Sequence, residues 1–436
     1  MLVIIHKEVK MAANKGKIPE HVKQNQKKFH NPQADHPVVK ILNEIEDPRK
    51  PSLTFSYPLT SVLFMTLVAV ISGAIDWAKV VVMSEGMIDW LALYVDMSSG
   101  VPCERTFINI FNVIKPEALE EALQKLSELM RERMPQEVIS FDGQTGRGTA
   151  EKCKKLSGIH LMNAWSADNR ICLGQIKVDD KSNEIIAMPQ LMDMLDLKGT
   201  IITADAMNTQ KNTAKKAIDK GAEYVLPVKG NQPTLLEDIQ LAFEGLDKDL
   251  SNDKLKWEGE VKKAKERRDR ERLEKLLKKG PRLHKSTHWK SEIEKIHGRI
   301  EQRTCTAIPV GDIPSKEGWE GIESIARIHR ERIENGATSY ETIYYISSLK
   351  PNAEIISNVT RAHWGVEVQH WYLDVVFKQD KSRYRNRNGA RNLAVLRKIA
   401  LNSLLREDSL KRGIATKQCA AACNPSYRER VLKKMF

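Results

Sequence analysis

The sequence predicts an α/β protein in which a mixed sheet with flanking helices follows an all-helical region. Apolar residues recur at helical spacing from Val38 to about Met134, whereas short β-branched runs alternate with helical patterns from Glu137 onwards. The second part contains, in order, three strands, a helix, a strand, a helix and a strand. This order is typical of a mixed sheet with helices on both faces.

The region before the sheet contains three helical stretches, "PLTSVLFMTLVAVISGA", "EGMIDWLALYV" and "KPEALEEALQKLSELMRERM". The last begins with proline and acidic residues and ends with arginines, as helix termini favour. The most apolar run, Ser61 to Ile75, is too short to span a bilayer comfortably and is followed at once by Asp76 and Lys79. We expect a flexible basic tail at residues 1–37, a helical domain at 38–135, and no membrane association.

The elements of the sheet region follow from their local patterns. The first strand is "EVISFD", the next two form the hairpin "GIHLMNAWSADNRICLGQIKV" with its turn at Ala167–Arg170, and a helix follows in "SNEIIAMPQLMDML". A strand in "GTIITADAM", a helix in "TQKNTAKKAIDKG" that ends at Gly221, and a fifth strand in "AEYVLPVKGN" complete the series. We expect a sheet domain at 136–407 with an insertion at about 240–349, and a basic tail at 408–436.

Charge indicates the kind of partner. The chain carries 70 Lys and Arg against 57 Asp and Glu, a formal net charge of +13, which favours a polyanion and nucleic acid over a membrane surface. Opposite charges three or four residues apart in Lys262–Lys279 predict a solvated helix stabilised by ion pairs. By contrast, "KSRYRNRNGAR" (Lys381–Arg391) has no acidic residue and is suited to phosphate contact. The six cysteines lack zinc-site spacing, so we expect reduced thiols in a cytosolic protein.

Three carboxylates are placed as a metal site requires. Asp142 ends a strand in "VISFDGQTGRG", Asp205 ends another in "TIITADAMNTQ", and Glu367 lies on a predicted helix in "RAHWGVEVQHW". Sheets of this type place their sites where such strands end. Two Asp and one Glu can hold two Mg²⁺ ions about 4 Å apart, an arrangement that serves phosphodiester chemistry. The alternatives are two turn residues and a solvated helix acid.

The sequence resembles transposases of the DDE, RNase H-like type found in bacterial insertion sequences, and among them the H-repeat-associated subgroup. The resemblance covers roughly residues 45 to 430, and it is carried by "DPR", "ISGAIDWAKV", "GVPCERTF", "FDGQTGRG", "KSNEIIAMPQLMDMLDLKGTIITADAMNTQ", "GAEYVLPVKGNQ", "HGRIEQR", "RAHWGVE" and "NLAVLRKIALNSL". It implies that residues 38–135 form an accessory or DNA-binding domain and that residues 136–407 form a catalytic domain with an RNase H-like sheet. It also implies that Asp142, Asp205 and Glu367 are the catalytic metal ligands, with Mg²⁺ as cofactor and Mn²⁺ as a substitute.

The same resemblance implies strand cleavage at element ends followed by attack of the freed 3′-hydroxyl on target DNA. The expected partners are element ends, target DNA and a second copy of the chain, and the expected location is the cytoplasm, on the bacterial nucleoid. Candidate DNA contacts are Lys229, Asn231, Arg361, His363, Trp364, Arg383, Arg385 and Arg387.

Two spacings on the helix of Glu367 favour ordinary roles. Trp364 and Trp371 lie seven residues apart, which predicts a buried stripe. His363 and His370 have the same spacing, and we interpret them as packing or DNA-contacting residues rather than metal ligands, because no third soft ligand is near.

The sequence departs from the family pattern around Glu367. The broader family often has Tyr, Arg and Lys at seven before, four before and seven after this Glu, where this chain has Thr360, His363 and Asp374. The subgroup usually has one more residue between the Glu and the next His-Trp pair, and one residue fewer rotates a helix by about 100°. Asp374 and Asp380 are therefore alternative third carboxylates. A nuclease of the same fold without strand transfer, and a DNA-binding relic, are the alternative functions.

Overall fold

The computed structural model describes residues 33–49, 57–150, 157–178, 183–279, 286–296 and 298–436. The predicted flexible tail at 1–37 lies outside these ranges up to residue 32. Contacts between Cα atoms divide the chain into two compact units. We call the described parts of 1–130, 146–159 and 372–436 the helical unit, and the described parts of 131–145 and 160–371 the sheet unit.

The helical unit contains helices from both ends of the chain. They are α1 (Pro37–Asn43), α2 (Leu59–Ile71), α3 (Trp77–Gly86), α4 (Ile88–Leu91), α5 (Glu104–Val113), α6 (Pro116–Met130), α13 (Arg387–Arg406), α14 (Ile414–Cys423) and α15 (Pro425–Lys433). Residues 408–436, predicted as a basic tail, thus include two helices. Tyr427, Val431 and Leu432 of α15 are buried, which gives this helix an apolar face.

Helix α13 forms the core of the helical unit, where it packs against α2, α5 and α6. Two of its buried polar residues, Arg391 and Asn392, are bonded to neighbouring helices. The Arg391 guanidinium lies 2.8 Å from the buried Glu120 carboxylate, and the Asn392 side chain donates to the carbonyls of Phe111 and Ile114 at the end of α5. These bonds satisfy groups that are costly to bury alone.

The sheet unit alternates strands and helices. Its strands are β1 (Val138–Gly146), β2 (Ile159–Ser166), β3 (Ile171–Val178), β4 (Ile201–Ala204), β5 (Glu223–Val228), β6 (Thr287–Lys290), β7 (Glu294–Ile296), β8 (Arg299–Pro309), β9 (Ser324–Glu334) and β10 (Ala337–Ser347). The last residue of β1 and the first residue of β2 are assigned to the helical unit. Its helices are α7 (Glu184–Asp193), α8 (Lys211–Asp219), α9 (Pro233–Glu266), α10 (Arg270–Lys279), α11 (Ala353–His363) and α12 (Gly365–Trp371).

In the described part of the chain these ten strands form one sheet in the order β3-β2-β1-β4-β5-β10-β9-β8-β6, with β7 on β8. Strand β1 is parallel to β4, β4 is parallel to β5, and β10 is antiparallel to β5. Strands β8 to β10, which lie in the predicted insertion, therefore extend the sheet beyond β5. The predicted fold class, a mixed sheet with flanking helices and a helical N-terminal region, is confirmed.

Helix α11 is fixed on the sheet by its apolar side. The Asn352 side chain caps its first turn by accepting from the Ile355 N–H at 3.0 Å. Ala353, Ile356 and Val359 are buried in one cluster with residues of β1, β4, β5, β8, β9 and β10. Three contacts at helical spacing fix the rotation of the helix, and hence the direction of the side chains that follow at its C-terminal end.

The charged run at 262–279 lies on α9 and α10, and its side chains are mostly exposed. Lys275 pairs with Glu271 one turn away at 2.7 Å, as the charge pattern predicts. None of the described helices is both long enough and apolar enough to cross a membrane.

Candidate active site

Two neighbouring strands bring Asp142 and Asp205 together. In the parallel pair β1–β4, Phe141 lies opposite Ala204. The next residue on each strand is an Asp, so the two carboxylates follow the same rung of the ladder at one edge of the sheet. The residue before each Asp is fully buried, with Phe141 0% and Ala204 1% exposed.

The two carboxylates have opposite electrostatic environments. The side chain of Asp142 is 18% exposed, and burial together with the negative charge of Asp205 raises its pKa to about 7. The side chain of Asp205 is 64% exposed, and the neighbouring His363 imidazole lowers its pKa. Near neutral pH, Asp205 is ionised while Asp142 is divided between its acid and its carboxylate. The negative charge of Asp205 therefore favours the protonated form of Asp142 when no cation is bound.

Asp142→Asn is expected to stabilise the protein at high pH in the absence of divalent ions. The folded pKa of Asp142 lies above its unfolded value. The ionisation of Asp142 therefore destabilises the fold. This destabilisation is absent below about pH 4, grows as the pH rises from the unfolded pKa to the folded pKa, and is complete above about pH 7. One pKa unit corresponds to about 1.4 kcal/mol, so the gain at pH 8.5 is at most about 4 kcal/mol. Thermal unfolding at pH 4 and pH 8.5 measures it.

The exposed Asp249 of α9 provides the control, because Asp249→Asn should leave the unfolding midpoint unchanged at both pH values. A destabilised Asp142→Asn variant at pH 8.5 would contradict the electrostatic description of the site.

Two histidines lie against the two carboxylates. His363 Nε2 is 3.6 Å from Asp205 Oδ1, and His370 Nδ1 is 3.4 Å from Asp142 Oδ2. The other nitrogen of His370, Nε2, is 3.3 Å from the Asn163 Nδ2 atom on β2. Sequence reasoning assigned both histidines to packing or DNA contact. Their seven-residue spacing was the available signal, because it places both on one side of a helix.

Glu367 lies between these histidines in sequence and lines a cavity with Asp205. The cavity has a volume of about 290 Å³. Its wall includes residues of β8 to β10, of α11 and of α12, and His363 is among them. Charged side chains of both signs line it: Asp205, Lys229, Arg303, Arg330, Glu341 and Glu367. The Glu367 side chain is exposed, so it can reach a ligand in this cavity.

Helix α12 follows α11 after Trp364 and begins at a glycine for a steric reason. A Cβ atom at Gly365 would lie 2.9 Å from the buried Trp165 Nε1, so only glycine lets the chain pass β2 this closely. A π-helical segment, Tyr372–Val376, follows α12 in the chain and belongs to the helical unit.

The predicted buried stripe on this helix is wrong. Trp364 is 39%, Val368 48% and Trp371 53% exposed. The buried side of α12 consists of Val366 and Gln369 instead. The Arg330 guanidinium pairs with Glu341 and lies over the Trp364 ring at 5.7 Å from its centroid, which places an exposed aromatic ring beside the cavity.

Comparison with known proteins decides the family. The profile described as "Transposase DDE domain" matches residues 133–403, and one described as "DDE_Tnp_1-associated" matches residues 39–126. The chain belongs to the DDE transposase family. It is 33% identical over 382 residues to "Putative transposase YncI" of Escherichia coli O157:H7, covering 86% of this chain and 89% of that protein.

A second relative places the chain in a subgroup. "H repeat-associated putative transposase YhhI" of Escherichia coli (strain K12) is 33% identical over 383 residues, covering 86% of this chain and 92% of that protein. This DDE transposase is therefore of the H-repeat-associated subgroup. A solved piggyBac transposase synaptic complex with hairpin DNA covers 92% of this chain and 78% of that chain at 10% identity and a TM-score of 0.39, too low to establish a common fold.

The donor set of the transposase fits a divalent cation bound through carboxylates. Asp142 and Asp205 supply oxygen ligands that repel each other without a cation, and Mg²⁺ is commonly held by one or two carboxylates with water and phosphate oxygens. Within the described residues, no three His, Cys, Asp or Glu side chains lie close enough together to hold a metal ion. Glu341 and Glu367 line the same cavity as Asp205. The three predicted carboxylates, Asp142, Asp205 and Glu367, therefore do not form one three-ligand group in the described part of the chain.

The predicted DNA-contacting residues of the sheet unit have different environments. Lys229 is exposed and lines the cavity, where its charge contributes to lowering the pKa of Asp205. The Asn231 side chain donates to the Ala206 carbonyl at 2.6 Å, which ties the loop after β5 to the turn after Asp205. Arg361 pairs with Glu294 of β7 at 2.8 Å. Of these three residues, Lys229 lines the cavity, whereas Asn231 and Arg361 do not.

The basic segment at 381–391 is held in the helical unit through Tyr384. The Tyr384 hydroxyl lies 2.6 Å from Asn112 Oδ1, and its ring packs edge-on against Trp77. Arg383 and Arg385 are exposed on either side of it. The tyrosine therefore anchors the segment, whose Arg383 and Arg385 are exposed, whereas Arg387 is half-buried and Arg391 is buried.

The two alternative third carboxylates have structural partners within the helical unit. Asp380 accepts the Arg147 N–H at 3.1 Å, and the Arg147 guanidinium is 3.8 Å away. Asp374 acts on the buried Arg397, where its charge opposes the lowering of the arginine pKa by burial. Asp374 and Asp380 therefore both interact with arginines of the helical unit.

Proposed function

We propose that this transposase cleaves DNA at the ends of its element and joins the freed 3′-hydroxyl to target DNA, with Mg²⁺ as cofactor and Mn²⁺ as a substitute. The observation that supports this most is the register of β1 and β4, which sets Asp142 and Asp205 side by side at one sheet edge. The RNase H-like character of the sheet is part of the same proposal.

Asp142, Asp205 and Glu367 are the proposed metal ligands. A bound pair of divalent cations would activate the attacking oxygen and stabilise the leaving oxygen of the phosphodiester. The protein supplies the anionic ligands and keeps Asp205 ionised through His363. Since the chemistry needs no covalent protein–DNA intermediate, no Ser or Tyr nucleophile is required.

DNA is the proposed partner, through residues that remain accessible beside the carboxylates. Lys229 presents a cation at the cavity, and Trp364 presents an exposed ring with Arg330 over it. Aromatic and cationic side chains together bind unstacked bases and phosphates without strong sequence preference. Asn231, Arg361 and His363 are proposed to contribute by positioning, because each bonds to or lies against another part of the sheet unit.

Arg383, Arg385 and Arg387 are proposed to bind DNA phosphates. Replacing all three with Ala should reduce the slope of log Kd against log salt concentration by about 3, because each phosphate contact releases close to one counterion. Fluorescence anisotropy of a labelled duplex across a KCl series measures this slope.

The control replaces Lys262, Lys263 and Lys265 on α9 with Ala, which removes the same charge from an exposed helix. This control should change the slope by less than about 1. Equal effects of the two triple variants would mean that net charge, and not a DNA path along 383–387, sets the affinity.

The alternatives give different reaction products. The transposase should yield nicked element ends and joined target DNA, a nuclease without strand transfer should yield cleavage alone, and a DNA-binding relic should yield neither. The test uses the purified full chain, Mg²⁺, and a duplex carrying the inverted repeat found at the boundary of the element. A homodimer is proposed as the active form, because two element ends must be brought together.

A further inference from the structure

A chain of buried polar side chains connects the segment of Asp142 to the segment of Asp205. His160 Nε2 and Glu184 Oε1 are 2.5 Å apart, and each residue is 7% exposed. On one side, the Thr145 hydroxyl lies 2.8 Å from His160 Nδ1. On the other, Asn208 Nδ2 donates to Glu184 Oε2 at 3.3 Å.

The two ends of this chain have equivalent positions. Thr145 is the third residue after Asp142 on β1, and Asn208 is the third residue after Asp205, in the turn Ala206–Asn208. The His160–Glu184 pair thus lies between the backbone segments that leave the two carboxylates. His160 belongs to β2 and Glu184 to the first turn of α7. Four separate elements are joined by three hydrogen bonds.

The pair also lies directly against the residue after Asp142. A Cβ atom at Gly143 would collide with Glu184 Oε1 and lie 2.8 Å from His160 Nε2. The Gly143 N–H donates to Asp142 Oδ1 at 2.8 Å, so the backbone that touches the pair also orients the carboxylate. A displacement of Glu184 would therefore be transmitted to Asp142 through one residue.

We propose that His160 and Glu184 are positioning residues that fix the separation of Asp142 and Asp205, and with it the affinity of the pair for a divalent cation. This rests on the proposed function of the two Asp residues. Apolar packing could stabilise the fold at the position of a buried Glu, so stability alone does not require this residue. A chain of hydrogen bonds between the two ligand segments, by contrast, holds them in one arrangement. Outer residues of metal sites act in this way on the ligands that they support.

The test is Mn²⁺ binding to the full-length protein without DNA, followed by the electron paramagnetic resonance signal of free Mn²⁺. Glu184→Ala and His160→Ala should weaken binding by about 10- to 100-fold, the range typical of residues that orient metal ligands. Glu184→Gln should stay within about threefold of wild type, because its amide can donate to His160 and accept from Asn208 in the same geometry.

A matched control separates positioning from general destabilisation. Glu137, 1% exposed at the other end of β1, accepts hydrogen bonds from Arg131, Ser166 and Asn169. Glu137→Ala should lower the thermal unfolding midpoint at least as much as Glu184→Ala and leave Mn²⁺ affinity unchanged. Equal loss of affinity in both variants, unchanged affinity in Glu184→Ala, or a Glu184→Gln variant as weak as Glu184→Ala would overturn the proposal.

Gly143→Ala provides a second test if Glu184→Ala does not fold. The added methyl group should displace Asp142 and weaken Mn²⁺ binding at least tenfold, and adding Glu184→Gln should not restore it, since the steric conflict remains. A Gly143→Ala variant with wild-type affinity overturns the inference. Asp142→Asn tests the underlying function separately: if it binds Mn²⁺ as wild type does, the cation is not held by the Asp pair and both proposals fail.

Discussion

Asp142→Asn should reduce Mg²⁺-dependent cleavage of an element end by at least about 1,000-fold, because it keeps the shape of the side chain and removes the charge that holds the cation. Asp205→Asn should have the same effect. The double variant should be little worse than either single one, since ligands of one metal site act as a unit. Nicking of a linear duplex carrying the element end, followed over time with Mg²⁺, measures the rates.

DNA binding by the Asp142→Asn variant should be retained or slightly tighter, because the change removes a carboxylate that repels phosphate. Asp249→Asn on α9 is the control and should cleave at the wild-type rate. Cleavage that persists in Asp142→Asn would end the catalytic interpretation of the motif "FDGQTGRG". A wild-type chain that fails to cut a verified element end would favour the DNA-binding relic.

Glu367→Gln should reduce cleavage by at least about 100-fold, whereas Asp374→Asn and Asp380→Asn should each stay within about tenfold of wild type. The reason is position: Glu367 lines the cavity of Asp205, while Asp380 bonds to Arg147 and Asp374 acts on Arg397. The same nicking assay ranks the three acids. A wild-type cleavage rate in Glu367→Gln together with a loss of cleavage in Asp374→Asn would identify Asp374 as the third metal ligand.

The pairing of Asp142 with Asp205 could be predicted because it depends on local patterns. Each Asp follows a β-branched run, and parallel strands that pair in register end at the same edge of a sheet. The change from helical to strand patterns near Glu137 likewise located the start of β1 to within one residue.

The histidine contacts and the exposed tryptophans could not be predicted, because they depend on how α11 and α12 are rotated against strands that belong to other segments of the chain. Seven-residue spacing shows that Trp364 and Trp371 share a side, but not which side is buried. The rotation is set by Ala353, Ile356 and Val359 on the sheet and by the close passage of Gly365 past Trp165. These are contacts between distant segments, without a signal in either segment alone.

The sequence contained a helical pattern for the helices at 414–433, but the basic composition of this segment obscured it. Tyr427, Val431 and Leu432 recur at helical spacing and are buried, but the surrounding Lys and Arg residues favoured a tail. The His160–Glu184 pair had no signal in the sequence. Each residue belongs to a different predicted element, and the two meet only through the tertiary fold.

The central claim is that Asp142 and Asp205 together bind the divalent cation of this transposase, and anomalous X-ray diffraction from crystals of the full-length protein soaked in Mn²⁺ tests it most directly. We predict an anomalous peak within bonding distance of both the Asp142 and Asp205 carboxylates, with Glu367 as a further ligand of the same site when DNA is bound. A structure that binds Mn²⁺ elsewhere, or that shows no peak between these two carboxylates at saturating Mn²⁺ and pH 8, would contradict the claim.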